Sequence, residues 1–479
     1  MKNKIHNIRF FARTKIKKFY NLIKYFPISK HINSNIENKK NLVKYNYSRS
    51  IGVEPCICHA PLRSIYFDMK GNATACCFNR SYILGKYPEQ SIKEIIFSEK
   101  REFLQKELCK QNFMYGCKHC LNLIEAQNFE GVEARLYDNL KAQGKMPSEM
   151  IFELDNTCNL ACKMCYEGFS STIAKLKNIE VPPPPYDSKF LVQLKEFIPH
   201  LEVAKFLGGE PFLINIYYQI WDLILELNPK CRIHLQTNGT IFNEKIKSYL
   251  EKGNFYIGVS IDSLDPENYK KIRQNSNLEN VISNLVKFAE ISKEKHTFIN
   301  ISVCPMLQNW KEIPQIVDFC NQNSFFVYFN TVYTPGFAIS DADEDLLLEI
   351  INYYKNFTFK TKGIIAKRNL KFFNNLLTQI KAIYKPKAEA SEYERKRHKW
   401  TSPMLKDFIL KKVNNNEELS NKIEDVFTNF NNEFYFSDKD LENLEKLKVE
   451  DLISALKNET IIELQERIQR FINFGRFSR

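Results

Sequence analysis

Three cysteines in close succession are the residues of this sequence most able to carry out chemistry. Cys158, Cys162 and Cys165 are spaced C-x3-C-x2-C, after an apolar run at 150–154 that predicts a strand and a polar break at 155–157. Three thiolates on one loop can bind three irons of a four-iron, four-sulfur cluster and leave the fourth iron open. A structural zinc site needs a fourth ligand, and no His or further Cys lies nearby in the sequence. The spacing therefore favours an open cluster over thiols buried in a core.

Three short motifs follow the cysteine loop, each at the end of a predicted strand. They are Leu207-Gly208-Gly209-Glu210-Pro211, Gln236-Thr237-Asn238-Gly239 and Val259-Ser260-Ile261-Asp262. Glycines allow the backbone to approach a ligand closely, and the Glu210 carboxylate can pair with an ammonium group. The simpler alternative is that the glycines only form turns and that Glu210 is a solvated charge.

The cysteine loop and these motifs together resemble the radical S-adenosylmethionine (SAM) enzymes, over about residues 150–335. The resemblance implies that the three cysteines bind the cluster, and that one electron from it cleaves SAM to a 5′-deoxyadenosyl radical. It also implies an electron donor such as flavodoxin or ferredoxin. Much of the family has an aromatic residue where Met164 stands, so the adenine contact stays open between Met164 and Tyr166. The SAM contacts implied by the resemblance are Met164, Tyr166, Gly208, Gly209, Glu210, Pro211, Asn238, Ser260 and Asp262.

A second group of cysteines lies upstream, at Cys58, Cys76, Cys117 and Cys120. The first two are spaced C-x12-G-x4-C and the last two C-x2-C. A predicted hairpin of strands 64–67 and 73–76 brings the first two together, and a predicted helix at 91–109 returns the chain to the last two. Four thiolates form a closed site, which suits either a cluster or zinc.

This upstream segment resembles the auxiliary-cluster module called SPASM, or its shorter twitch form. Here the module precedes the radical SAM core, whereas it usually follows it. The longer form continues with further cysteines, and Ala126 stands in the place of the next one. The resemblance therefore implies one auxiliary four-iron, four-sulfur cluster, with structural zinc as the alternative. Cys77 can replace Cys76 as a ligand, and Cys56 and Cys109 are expected to be bystanders.

Predicted strands and helices alternate through the region that holds the motifs. The strands are expected at 150–154, 203–207, 232–236, 255–261, 298–303 and 326–331. Such alternation implies parallel strands joined by right-handed crossovers, and in line with the family an α/β fold with a partial (β/α)6 TIM-like barrel. Functional groups should gather at the carboxyl ends of its strands. That rule selects Cys304 as a candidate catalytic residue, a hydrogen donor to a substrate radical, with burial of a small apolar thiol as the alternative.

The length of 479 residues predicts two or three domains. We expect a basic segment at 1–50, the cysteine-rich module at 51–148, the radical SAM core at 149–340 and a helical region at 341–479, with a charged linker at 385–399. No apolar run approaches the roughly eighteen residues of a membrane span, and no signal-peptide pattern is present. The thirteen cysteines suit metal binding in a reducing cytoplasm better than a disulfide framework.

The net charge of +13 is concentrated at the N-terminus. Residues 1–50 hold thirteen Lys or Arg and one acidic residue, a net of +12, so the rest of the chain sums to about +1. Apolar residues recur there at helical spacing, from Ile5 to Phe26. A basic amphipathic helix can lie on an anionic membrane surface or contact nucleic acid, and it can equally dock on its own protein.

The sequence thus predicts a cytoplasmic radical SAM enzyme, with a peripheral membrane location as an alternative. A peptide or protein is the expected substrate, because the auxiliary module resembles that of enzymes that modify ribosomally made peptides. A carbohydrate, a nucleotide sugar and RNA are the alternatives. The competing hypothesis is a non-catalytic, metal-stabilised binding protein, and the intact cysteine loop and glycine motif argue against it.

Overall fold

The computed structural model describes residues 36–359, 362–392, 398–413, 416–428, 433–436 and 438–474. The chain divides into two compact units, residues 1–385 and 386–479. The predicted N-terminal amphipathic helix from Ile5 to Phe26 lies outside the described residues. Among the described residues, no helix is long and apolar enough to cross a membrane.

A nine-stranded open sheet organises the first unit. Its strands are β1 Ser64–Phe67, β2 Asn72–Thr74, β3 Gly85–Lys86, β4 Glu149–Phe152, β6 Val203–Phe206, β7 Arg232–Thr237, β8 Phe255–Ser260, β10 Ile299–Val303 and β11 Phe326–Phe329, while β5 Ala161–Cys162 and β9 Arg273–Gln274 form a separate pair. The order in the sheet is β11-β10-β8-β7-β6-β4-β1-β2-β3. The six strands β4, β6, β7, β8, β10 and β11 run parallel, as the alternation of elements predicts. The fold is therefore of the α/β class, with an open parallel sheet.

Helices cover one face of this sheet, called here the outer face. Alternate strand residues such as Phe152, Phe206, Leu235, Val259 and Ile301 join the helices in one buried apolar core. The helices that follow the parallel strands are Ser171–Leu176, Ser188–Leu194, Asn215–Leu227, Glu244–Lys252, Pro266–Ile272, Leu278–Glu294, Ile313–Gln322, Glu344–Asn356 and Ile364–Glu392.

The opposite, inner face carries polar side chains at the intervening strand positions. These are Glu149, Lys205, His234, Gln236, Tyr256, Asn300 and Ser302. When apolar groups cover both faces of a parallel sheet, the sequence of each strand is a nearly continuous hydrophobic run. Strands β7 and β10 alternate instead, so the inner face is suited to polar chemistry.

The cysteine-rich segment is built into the same sheet. The predicted hairpin forms, with β1 antiparallel to β2 around the turn at Gly71, whose φ is +84°. Strand β1 also pairs parallel to β4 of the core, so that Tyr66 lies opposite Ile151. The helices of this segment are Ile36–Ser48, Ala60–Arg63, Ile92–Ile96, Glu99–Cys109 and Lys118–Glu125.

The single helix predicted at 91–109 is wrong, because the structure has two. Ser91 caps the first helix in a capping box with Glu94. Ser98 then takes an extended backbone conformation, with ψ of 145°, and stands at the start of the second helix. Serine favours this flanking position over the interior of a helix, so the local sequence accounts for the break.

The second unit has its own small core. Its helices are Ser402–Lys412, Glu417–Phe427, Asp438–Glu445, Val449–Asn458 and Ile461–Phe474, beside the antiparallel pair β12 His398–Thr401 and β13 Glu433–Phe436. Its buried apolar residues include Leu444, Leu452, Leu456, Leu464 and Ile468. The linker predicted at 385–399 is wrong at both ends, since the preceding helix runs to Glu392 and β12 begins at His398.

Candidate functional site

The loop of Cys158, Cys162 and Cys165 follows the carboxyl end of β4, and a short pair of strands holds its centre. A short strand β5, Ala161–Cys162, pairs with β9, Arg273–Gln274, and places Cys162 opposite Arg273. The hydroxyl of Ser170 donates to the Leu160 carbonyl at 2.6 Å. The loop is therefore held in one conformation by contacts that do not use the thiols.

The three thiols of the loop influence one another electrostatically. Burial raises the pKa of Cys158 to about 11 and that of Cys165 to about 12, and Cys162 adds to the increase at both sites. Iron binds the thiolate form, so cluster assembly must release these protons. The arrangement of three neighbouring thiols on one braced loop fits a cluster with an open iron.

The glycine motif packs directly on this loop. The Gly209 amide donates to the Asp155 carbonyl at 3.0 Å, and the Glu210 amide donates to the Thr157 carbonyl at 2.7 Å. Gly208 has φ of +103°. A Cβ atom on Gly209 would lie 2.2 Å from the Thr157 oxygen. This close approach of two backbones requires glycine, and it fixes the motif against the cysteine loop.

Glu210 is buried, so the alternative of a solvated charge is wrong. Its carboxylate accepts hydrogen bonds from Thr237 Oγ1 at 2.8 Å, the Asn238 amide at 2.7 Å and the Phe212 amide at 3.2 Å. Burial raises its pKa to about 7, and these donors oppose the increase. Glu210 thus braces the glycine motif against the Asn238 turn. Pro211 follows it and is also buried.

The polar candidate SAM contacts at the carboxyl ends of β7 and β8 lie close together on the inner face of the sheet, beside the end of β10. Asn238 Nδ2 donates to Asn159 Oδ1 at 2.8 Å, beside Cys158. Ser260 ends β8, and two residues later Asp262 accepts the Cys304 amide at 2.7 Å. The structure therefore brings together groups that lie far apart in the sequence.

Arg273 belongs to this site and was missed by the sequence reasoning. Its Nε lies 2.8 Å from Asp262 Oδ2, with the N–H not aligned on that oxygen, and its Nη1 donates to Cys162 Sγ at 3.8 Å. The guanidinium is buried, and Asp262 and Cys162 raise its pKa. Its only sequence signal is a basic residue at the end of the helix that follows the Asp262 motif.

The remaining candidates lie around the loop. Met164 packs beside Cys304 in a small apolar cluster, and its carbonyl accepts the Thr334 hydroxyl at 2.8 Å. Tyr166 is 46% exposed, and its ring lies 4.8 Å from that of Phe169. Met164 is thus packed within the protein, whereas Tyr166 is open to solvent.

The four upstream cysteines line one cavity of the cysteine-rich segment. Cys58, Cys76, Cys117 and Cys120 all border it, together with apolar residues such as Leu104 and Phe113. Burial raises the pKa of each thiol. In the described part of the chain, no three His, Cys, Asp or Glu side chains converge closely enough to hold a single metal ion. The four thiols around one cavity fit the auxiliary cluster by their chemistry.

Cys56 and Cys109 are not independent bystanders. They are joined by a disulfide, which ties the segment before Cys58 to the end of the helix Glu99–Cys109. The expectation that these two cysteines are bystanders is therefore wrong.

One side-chain cluster joins the auxiliary segment to the core. Arg80 donates to both oxygens of Glu153, at 2.9 and 3.0 Å, and to the Cys77 carbonyl at 3.0 Å. Tyr66 donates to the same carboxylate at 2.6 Å, and the guanidinium lies over the Tyr66 and Phe169 rings. These contacts thus join the segment of Cys77 to Glu153, the residue that follows β4, and to Phe169 beyond the cysteine loop.

Replacing Cys76 is expected to remove the auxiliary metal, whereas replacing its neighbour Cys77 is not. Cys76 borders the cavity of the other three thiols, and Cys77 is not among the residues that line it. Metal analysis of anaerobically purified Cys76→Ala and Cys77→Ala proteins should show a loss of about four irons in the first alone. Loss from both, or from Cys77→Ala alone, would contradict the assignment, and stoichiometric zinc would identify a structural zinc site.

Two protein-family models match the chain. Residues 153–320 match the Radical SAM superfamily, and residues 56–121 match SPASM, described as an iron-sulfur cluster-binding domain. The first match spans the cysteine loop, the three motifs and Cys304. The second contains all four auxiliary cysteines and lies before the core. These domain types imply four-iron, four-sulfur clusters and SAM.

Curated relatives match part of the chain. A probable GTP 3′,8-cyclase of Methanocaldococcus jannaschii is 28% identical over 178 residues, which are 37% of this chain and 56% of that protein. A probable GTP 3′,8-cyclase of Methanococcus maripaludis is 29% identical over 166 residues, which are 34% and 52%. The chain therefore spans about half the length of the curated relatives it matches.

Solved structures also show partial similarity. Native anSMEcpe with bound AdoMet is 19% identical with a TM-score of 0.34, and the match covers 43% of this chain and 59% of that one. Streptococcus suis SuiB bound to precursor peptide SuiA is 16% identical with a TM-score of 0.32, covering 57% and 64%. The two family matches thus identify a radical SAM domain at residues 153–320, with a SPASM domain placed before it at residues 56–121.

Proposed function

We propose that this protein is a radical SAM enzyme that modifies a peptide or protein. The observation that carries the proposal is the packing of the glycine motif on the cysteine loop, with Glu210 amide to Thr157 carbonyl at 2.7 Å. This contact supports the proposal because it joins the Gly208-Gly209 turn to the loop of three thiols that fit an open cluster. A binding protein that used the loop only as a structural clip would not need that arrangement.

Each part of the site has a distinct task in this proposal. Cys158, Cys162 and Cys165 would hold the cluster, which when bound supplies one electron that breaks a carbon–sulfur bond of SAM, releasing methionine and a 5′-deoxyadenosyl radical. Asn238, Ser260 and Asp262 orient the nucleoside, with Gly208 and Gly209 at the methionine end. Either Met164 or Tyr166 contacts the adenine ring in this proposal.

The buried cation Arg273 adds a group that the resemblance did not supply. Arg273 neighbours both Cys162 and Asp262. A guanidinium at this point can pair with the carboxylate of the methionine moiety. Cys304 shares the inner edge and remains the proposed hydrogen donor. The substrate loses a hydrogen atom to the 5′-deoxyadenosyl radical, which becomes 5′-deoxyadenosine, and receives another hydrogen atom from the thiol. The thiyl radical left on Cys304 returns to the thiol by taking one electron from the electron donor and one proton from solvent.

The charges of the inner face favour a neutral substrate group over a triphosphate. Lys205 lies 2.7 Å from Glu149, and Arg80 is bound by Glu153. Burial lowers the pKa of His234 to about 3, so that imidazole is neutral. A triphosphate is held by unpaired cations, whereas these cations are already paired. A peptide segment suits this face better than GTP, the substrate in the names of the curated relatives.

Partners and location follow from the proposed chemistry. Reduction of the cluster needs an electron donor such as flavodoxin or ferredoxin, and a reducing cytoplasm provides one. The basic N-terminal segment would contact an anionic membrane surface or nucleic acid.

The test compares the wild type with a Cys158→Ala, Cys162→Ala, Cys165→Ala triple variant, both purified and reconstituted without oxygen. With dithionite and SAM, wild type should form 5′-deoxyadenosine, and the variant should form none and lose about four irons. Cys320→Ala, a change at a buried thiol outside the site, is the matched control. Cys304→Ala should still form 5′-deoxyadenosine and lose only the product of the substrate. A fully loaded wild type that leaves SAM intact would refute the proposed function.

A further inference from the structure

Four polar side chains form a hydrogen-bonded row across the inner face of three adjacent strands. Asn300 Nδ2 donates to Ser302 Oγ at 3.0 Å, and Ser302 Oγ donates to Gln236 Oε1 at 2.7 Å. Gln236 Nε2 then donates to Ser260 Oγ at 2.8 Å. The row begins on β10, crosses to the Gln236 side chain from β7, and ends at the last residue of β8.

The donors of this row all point the same way. Because Ser302 receives a hydrogen from Asn300, its own hydrogen goes to Gln236. The Gln236 oxygen is then an acceptor, which turns its NH2 group to Ser260. The Ser260 oxygen therefore accepts within the row, and its hydroxyl hydrogen remains available to an acceptor beyond it. The row fixes Ser260 as a donor.

Gly258 provides the space that the row needs. It lies on β8 between Gln236 of β7 and Asn300 of β10. A Cβ atom there would lie 2.2 Å from Gln236 Oε1 and 3.0 Å from Asn300 Nδ2. The carboxamide of Gln236 thus occupies the place of a side chain on the neighbouring strand. The row therefore depends on side chains and space from three adjacent strands.

We propose that Asn300, Ser302 and Gln236 are positioning residues that hold the Ser260 hydroxyl as a hydrogen-bond donor to a ribose oxygen of SAM. This inference rests on the proposed function, because it needs SAM beside the cysteine loop. Ser260 shares its face and edge with Asp262. A ribose hydroxyl or ring oxygen can accept the hydrogen that Ser260 offers, while the proposed function assigns the methionine moiety to Gly208, Gly209 and Arg273.

The experiment measures equilibrium binding of SAM and of L-methionine to the reconstituted full chain. In Ser302→Ala the Gln236 carboxamide is free to rotate, so that its oxygen accepts the Ser260 hydrogen. That hydrogen is then not available to SAM, so the Kd of SAM should rise about tenfold. The Kd of L-methionine, which lacks the ribose, should change less than about twofold. Gly258→Ala should act in the same direction, since it displaces Gln236. Ser292→Ala, a buried serine of the helix Leu278–Glu294, is the matched control and should leave both constants unchanged.

Two outcomes would overturn the inference while leaving the proposed function intact. The first is a SAM Kd unchanged in both Ser302→Ala and Gly258→Ala. The second is an equal loss of SAM and L-methionine binding, which would indicate a merely structural row. A wild type with full iron content that binds neither ligand would refute the proposed function itself.

Discussion

Replacing Arg273 by methionine is expected to lower the free energy of unfolding by about 3–5 kcal/mol. The change leaves the Asp262 carboxylate, which is 0% exposed, without its cation 2.8 Å away. A buried charge without a partner is far more costly than a buried pair is favourable. The same variant should lose the Arg273 contact to Cys162 and bind the cluster less firmly.

Urea unfolding of the reconstituted protein, followed by circular dichroism, measures this loss. A second change, Asp262→Asn, should recover most of it, because it removes the charge and keeps the oxygen that accepts the Cys304 amide. Arg232→Met is the control, since that arginine lies 3.9 Å from Glu202 with 44% of its side chain exposed, and should cost less than about 1 kcal/mol. If Arg273→Met and Arg232→Met lowered the free energy of unfolding equally, the buried pair would contribute no more to stability than the exposed one.

Replacing Gly209 by alanine is expected to lower the rate of 5′-deoxyadenosine formation by about 100-fold or more. The new Cβ would meet the Thr157 carbonyl oxygen at 2.2 Å, so the glycine motif and the cysteine loop must move apart. A displacement of the reacting groups by about 1 Å is enough to lower a reaction rate by about 100-fold. The Gly209 backbone φ is not positive, so alanine is tolerated locally and the clash is the cause.

Gly144→Ala provides the comparison for this prediction. Gly144 has φ of +64°, and a Cβ atom added there would have no heavy atom within 4 Å. Alanine there should cost about 1–2 kcal/mol of stability through backbone strain and leave the rate within about twofold. Rates would be measured at saturating SAM and equal iron content. A Gly209→Ala enzyme as fast as Gly144→Ala would mean that the contact with Thr157 is not needed.

Much of the fold follows from features that are local in the sequence. The alternation of apolar and polar residues in β7 and β10 predicts their strands, and the helices between them follow from apolar spacing of about 3.6 residues. The hairpin at Gly71 is also local. The break at Ser98 is local too, although the predicted single helix missed it. The exception is the linker predicted at 385–399, because the helix Ile364–Glu392 extends into it.

The candidate site was predictable wherever a motif brings its own residues together. Cys158, Cys162 and Cys165 lie on one loop, so their proximity follows from covalent spacing alone. Glu210 shows the limit, because the sequence left it between a ligand contact and a solvated charge. Its burial and its bonds to Thr237 and Asn238 depend on a neighbouring strand.

The order of residues is sufficient to predict the cysteine loop, its motifs, the α/β class and the order of the two cysteine-rich regions. The pairing of β1 with β4, the placement of Arg273 beside Cys162 and the row that ends at Ser260 depend on the folded chain. They do so because strand register and loop pairing set which distant side chains meet. A shift of one residue in a strand sends every side chain to the other face, and only packing of the whole sheet selects the register.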